Sequence, residues 1–209
     1  MAGTTVGLLA LDYDIQHWMQ NRRNSTTNNI TIFIQPFGNG EVGLPALAAF
    51  YFYGHLLEDK RSETTGLLGL ESLTISAFFV EAIKITAHRE RPYVDSQSNK
   101  WDGPSLSFTN SRLSFPSADA ALAFSVNTVI ASQYQDRAWV SPLAYGIATL
   151  VALGRINDND HWASDVFVGS AIGFFTAKAI VALHKKNANI AVIPLIEGQA
   201  RGVALSYKF

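Results

Sequence analysis

Residues 44–58, 62–88, 118–134, 139–153 and 162–185 repeat apolar side chains with the period of an α-helix. That series is the strongest constraint on the fold. Each helix must cover its apolar face with another, so the pattern predicts a compact all-α bundle within a single domain over 1–209. A shorter amphipathic helix is predicted at 11–24, with Ile15, Trp18 and Met19 on one face. "STTNN" and "QPFGNGEVG" read as turns, and Pro92 is expected to stop the helix that precedes it. The tail differs: two alternating runs around Gly198–Gly202 suggest a small C-terminal β-hairpin.

With 48% hydrophobic and only 16% charged residues, the apolar runs must be weighed as membrane spans. The run 42–57 is short and ends near His55, and 66–83 carries Glu71 and Glu81. Pro142 interrupts 138–153, and 166–183 contains Lys178. These interruptions favour buried helices over spans, leaving peripheral membrane contact as an option. "MAGTTVGLLALDYD" lacks the basic start and long apolar stretch of a cleavable signal, as would a mature chain whose leader is gone.

Sixteen basic residues against 17 acidic ones argue against non-specific nucleic-acid binding. The chain has no cysteine, which excludes disulfides, zinc–thiolate sites and thiol nucleophiles.

Three segments carry candidate chemistry. In "EAIKITAHRERPY", Lys84 and Arg91 are seven residues apart, about two helical turns, so one helix would project both from nearly the same face. Two cations on an apolar face are costly unless an anion joins them. A snorkelling lysine and a helix-end arginine are the plainer reading. In "FPSADAALAF", Ser117 is a plausible N-cap, with Ala118 and Asp119 in the first turn. Free N–H groups there suit a phosphate, although the helix dipole alone favours an acidic residue at that place. In "GRINDNDHWASDVFVG", Arg155 precedes His161 by six residues and Asp165 follows it by four. A carboxylate that fixes the imidazole tautomer frees the other nitrogen to attack or take a proton. An ordinary helix start remains the alternative. A calcium loop counted from Asp158 fails, because its sixth and twelfth positions hold Ala163 and Gly169.

Taken together, Lys84–Arg91–Pro92, Pro116–Ser117–Ala118–Asp119 and Gly154–Arg155 with His161 and Asp165 resemble the three motifs of the type 2 phosphatidic acid phosphatase superfamily. That superfamily includes bacterial class A acid phosphatases and vanadium-dependent haloperoxidases. The resemblance implies a helical bundle and a phosphatase that needs no metal or other cofactor. It assigns Lys84, Arg91 and Arg155 to the phosphoryl oxygens, with hydrogen bonds from Ser117 and the backbone near Ala118. It makes His161 the nucleophile that forms a phosphohistidine, and Asp165 its orienting carboxylate.

The sequence departs from the family pattern at the general acid. Asp119 stands where Pro-Ser-Gly-His has histidine, Ala118 replaces the glycine, and Gly154 replaces a serine. Three functions follow from the resemblance: a phosphatase with Asp119 as an atypical acid, an impaired relative that binds phosphate ligands, or a vanadium haloperoxidase. The substrate is expected to be a phosphorylated small molecule or lipid. The resemblance implies a periplasmic location, with membrane association as the alternative, and allows a homo-oligomer. The polar stretch 93–115, carrying Trp101, is expected to border the pocket.

Overall fold

The computed structural model describes residues 2–95, 100–107, 109–186, 190–197 and 200–207. The fold is an α-helical bundle. In chain order its helices are α1 (Ala2–Gln20), α2 (Ser25–Ile34), α3 (Gly43–Leu56), α4 (Lys60–Ala87), α5 (Ala118–Gln133), α6 (Val140–Asn157) and α7 (Ala163–Lys186). One 3₁₀ turn, Gln35–Phe37, follows α2, and another, Asn110–Arg112, precedes α5. Strands β1 (Ile190–Glu197) and β2 (Ala200–Tyr207) pair antiparallel, with Ile190 opposite Tyr207 and Glu197 opposite Ala200. Gly202 pairs with Leu195 inside the ribbon rather than at its turn.

Local chemistry explains most boundaries. The expected turn "STTNN" is instead the start of α2. Asn24 accepts hydrogen bonds from the N–H groups of Thr26 and Thr27, while the Thr27 hydroxyl closes a capping box on Asn24. Asp59 caps α4 and Ser117 caps α5 through their side chains. Pro142 lies in the first turn of α6, where a missing N–H costs nothing.

The core forms where α5 lies against α7, α6 and α4. Ala123, Ala148, Val151 and Ile34 make one buried cluster, and Leu68, Val129, Ala177 and Ile180 make another. Helices α5 and α7 touch backbone to backbone. A Cβ at Gly169 would stand 2.2 Å from the Ser117 carbonyl oxygen, and one at Gly173 would stand 2.0 Å from that of Ala121. Only glycine permits that approach. The contact holds the start of α5 against the start of α7. Between α4 and α5, Ser72 and Ser125 hydrogen-bond in the interior at 2.8 Å.

The expectation of buried helices rather than spans is corrected for α4 and α7. Both α4 and α7 are long and apolar enough to cross a membrane, yet their apolar windows are only 33% and 28% buried. Phe78, Leu67, Phe175 and Leu183 face outward, as do Phe52 and Leu56 on α3 and Leu143 and Leu153 on α6. These helices are apolar around much of their circumference, while the bundle covers only part of it. The sequence shows the first property; the second requires the packing.

Candidate active site

Helix α4 ends earlier than Pro92 implies. His88 adopts the left-handed conformation (φ 47°), its N–H bonds to the Lys84 carbonyl, and its Nε2 donates to the Ser107 carbonyl at 3.0 Å. Lys84 therefore sits in the last turn of α4, whereas Arg91 lies beyond the helix. The shared helix face predicted from the seven-residue spacing does not exist. Arg91 reaches the site by another route. Its Nε donates to the Asn110 carbonyl at 2.9 Å and its Nη2 to Asn110 Oδ1 at 3.0 Å. Lys84 is buried, with Nζ 3.6 Å from Glu81 Oε1. It still senses the charges of Arg91 and Asp119.

His161 is buried, and its Nδ1 lies 2.7 Å from the Ser114 carbonyl oxygen. A carbonyl only accepts, so Nδ1 carries the proton and Nε2 keeps its lone pair. Burial, reinforced by the Arg91 charge and opposed by Asp165 and Asp119, pushes the imidazole pKa down. Asp165 does not itself take the Nδ1 proton, because its Oδ2 is 3.8 Å away. That oxygen instead accepts from the Ser114 hydroxyl and from the Trp162 N–H at 2.9 Å. Ser114 thus links the two, accepting from His161 and donating to Asp165.

Arg155, at the end of α6, faces three carboxylates. Asp119 Oδ2 is 2.9 Å from its Nε, Asp158 Oδ2 is 3.7 Å from Nη1, and Asp160 pairs with Nη2. The Asp119 contact is a charge contact out of line for a hydrogen bond, since Nε has no aligned acceptor. Asp160 also stands 3.8 Å from Arg91 Nη1, so one carboxylate lies between the two guanidinium groups. Ser117 caps α5, its side chain accepting from the Ala120 N–H at 3.4 Å, and its own N–H bonds to the Asp165 carbonyl at 3.0 Å. Ala118 opens the helix beside it. The smallness of Gly154 is not required by crowding, since a Cβ there would meet Thr31 at an ordinary 3.4 Å.

Several neighbours escape sequence reasoning. Arg89 is fully buried and pairs with both Asp165 and Asp12, the latter at 2.7 Å. Its guanidinium lies 4.7 Å from the Trp101 ring centre and 5.3 Å from that of Trp162. Trp101 forms an isolated β-bridge with Arg89, so the polar stretch covers this ion cluster. The second arginine of "RERP" was the available signal. For Asp12 the only signal was an acidic residue in an otherwise apolar run. Asp160 carries no signal apart from its place before His161.

Arg91 and Arg155 thus share the Asp160 carboxylate, Arg155 also contacts Asp119, and a tautomer-fixed histidine lies within the influence of Arg91. The arrangement suits transfer of an oxyanion. The chain belongs to the PAP2 superfamily, whose sequence profile matches residues 65–189. It is 38% identical over 66 residues to a lipid A 1-phosphatase of Porphyromonas gingivalis, an alignment covering 31% of this chain and 15% of that protein. It is 28% identical over 148 residues to a PA-phosphatase related-family protein of Dictyostelium discoideum, covering 63% of this chain and 53% of the relative. The chain therefore spans at most about half of these relatives. Two crystal structures share the fold. One is LpxE of Aquifex aeolicus (TM-score 0.62, 21% identity, 82% of this chain and 95% of that one). The other is a transmembrane PAP2-type phosphatidylglycerolphosphate phosphatase of Bacillus subtilis (TM-score 0.68, 20% identity, 88% and 93%).

Proposed function

We propose that the chain is a phosphoric monoester hydrolase that acts on lipid phosphates at a membrane surface through a phosphohistidine at His161. One observation carries this reading: the fixed Nδ1 proton of His161 leaves Nε2 as a buried nucleophile that feels the Arg91 charge, while Lys84 feels Arg91 and Asp119, and Arg155 contacts Asp119. The substrate phosphate takes the place of the Asp160 and Asp119 carboxylates on Arg155 and Arg91. Nε2 attacks phosphorus in line, and the P–O bond to the leaving oxygen breaks. The three cations stabilise charge on the equatorial oxygens. Water then attacks the phosphohistidine, releasing phosphate and restoring the imidazole. Asp119, at the family's general-acid position, donates to the leaving oxygen and later accepts from water.

The membrane part of the reading rests on where the site lies. Helix α4 enters it through Lys84 near its C-terminal end and α7 through Asp165 near its N-terminal end. If both helices cross the bilayer, the site sits at one interface, within reach of a lipid headgroup. Relatives named as lipid phosphatases support the same substrate class.

The Arg155–Asp119 contact favours a second reading, in which a carboxylate engaged by a guanidinium is badly placed to serve the leaving oxygen. The chain would then bind phosphate ligands and turn over only esters with good leaving groups. Phosphate release from p-nitrophenyl phosphate and an alkyl phosphate, between about pH 4 and 8, distinguishes the two. The native chain is compared with Asp119→His, and His161→Ala is the blank. Turnover of both esters supports the working acid; alkyl-ester turnover only in Asp119→His supports the impaired site.

A further inference from the structure

We propose that Asp12, on α1, is a positioning residue for the His161–Asp165 pair, setting the charge behind the imidazole through Arg89 and Ser164. The proposal builds on the role given above to His161. Asp12 lies outside the stretch matched by the family profile, and α1 packs against α7 and α6.

The connection is continuous and buried. Asp12 Oδ1 accepts the Ser164 N–H at 2.8 Å, at the start of α7. Asp12 Oδ2 accepts from the Ser164 hydroxyl and from Arg89 Nη2 at 2.7 Å. Arg89 Nη1 donates to Ser164 Oγ at 2.7 Å and to Asp165 Oδ1. Asp165 Oδ2 accepts from the hydroxyl of Ser114, whose carbonyl holds His161. Asp12, Arg89, Ser114, Ser164 and Asp165 are all fully buried, so no solvent screens these charges.

Charge counting gives the arrangement a consequence. Burial pushes the Asp12 pKa up against the contacts from Ser164 and Arg89 that hold it down; while Asp12 is ionised, two carboxylates share one guanidinium and a net single negative charge stands behind His161. That charge favours the cationic imidazole, including the form bonded to phosphorus. If Asp12 is neutral, Arg89 cancels Asp165 alone and the net charge falls to zero. The other charges facing His161 are Asp119 from α5 and Arg91 from the α4–α5 connection, with Arg155 of α6 paired to Asp119. None of them contacts Asp12. Neutral side chains of α1 bond at and just beyond the end of α6: Gln16 to Asn159, and Gln20 to the carbonyls of Ile156 and Asn157.

The test is a histidine-selective ¹⁵N NMR titration of the full chain in detergent micelles. The chain has five histidines, so the His161 signal is assigned by its loss in His161→Ala. Asp12→Asn lowers the measured His161 pKa by about one unit, the size expected for one nearby buried charge. Asp12→Asn with Arg89→Gln removes a charge of each sign and returns it towards the native value. Asp12→Glu restores it as well. In turnover assays, Asp12→Asn moves the acid limb of kcat to lower pH and leaves KM unchanged. An unmoved His161 titration in folded Asp12→Asn overturns the proposal, and so does a double variant that stays shifted. Loss of folded protein in every variant also overturns it, as the mark of a purely structural strut. If the native chain hydrolyses nothing, the titration still reads the Asp12 effect, so failure of the enzymatic reading stays distinct from failure of this one.

Discussion

Oδ2 of Asp119 lies 2.9 Å from Nε of Arg155, so the proposed acid rests against a cation that the phosphate also needs. Binding of a dianion must break or share that contact. Replacing Asp119 with histidine removes that competition. Under the second reading, Asp119→His raises kcat on an alkyl phosphate by about 10²-fold or more, within the usual range for a general acid, whereas with Asp119 as the working acid the rate stays within the same order of magnitude. The gain on p-nitrophenyl phosphate is much smaller, because that leaving group needs no proton. Steady-state assays on both esters check the ratio.

The lowered pKa of His161 has two effects of opposite practical sense. Attack requires neutral imidazole, so the acid limb of kcat/KM lies below the ordinary histidine value of 6.5. Stability behaves differently. The unfolded chain takes up the proton near 6.5 while the folded site still resists it, so stability is lost as pH falls through 6.5. The loss levels off below the folded-state pKa, where both states are protonated. Thermal unfolding in detergent between about pH 8 and 5 measures this, and His161→Gln flattens the slope.

Arg89 bridges Asp12 and Asp165 with no exposure to solvent. Truncating one member of a buried ion cluster leaves the others uncompensated, at a cost of about 3–5 kcal/mol. Arg89→Leu is therefore expected to lower the unfolding midpoint sharply, while Arg22→Leu, an arginine over the Trp18 ring on the exterior, barely changes it. Denaturant melts of both variants provide the comparison.

Gly169→Ala drives a Cβ into the Ser117 carbonyl at 2.2 Å, whereas a Cβ at Gly146 meets nothing within 4 Å. The first variant pushes α7 away from the start of α5 and is expected to reduce turnover strongly. The second gains roughly 0.5–1 kcal/mol of helix stability and keeps its activity. Circular dichroism should show equal helix content in both, which assigns the loss in the first to displacement of the site.

Much of this arrangement was legible in the residues. The helical periods fixed the bundle, since apolar spacing reports which face a helix must cover. The motifs holding Lys84, Arg91, Arg155, His161 and Asp165 carried the resemblance to the superfamily to which the chain belongs. Other parts were not legible. Spacing placed Lys84 and Arg91 on one helix, but the left-handed cap at His88 is a choice of a single dihedral. Four residues after His161, Asp165 looked like its hydrogen-bond partner, yet the Ser114 carbonyl takes that place. Backbone acceptors leave no trace in side-chain identity. The link between Asp12 and Arg89 joins residues 77 apart and follows only from the docking of α1. The outward faces of α4 and α7 likewise follow from what the bundle leaves uncovered.

The most direct test of the central claim is rapid-quench intact-mass analysis of the full chain mixed with p-nitrophenyl phosphate. The p-nitrophenolate leaves without a proton whereas water must be activated, so hydrolysis of the phosphohistidine is the slow step and a burst of p-nitrophenol is predicted. The account also predicts one added phosphoryl group, labile to acid and stable to base, that maps to His161 and is absent in His161→Ala. Steady release of p-nitrophenol with no adduct on His161, or an undiminished rate in His161→Ala, would contradict it.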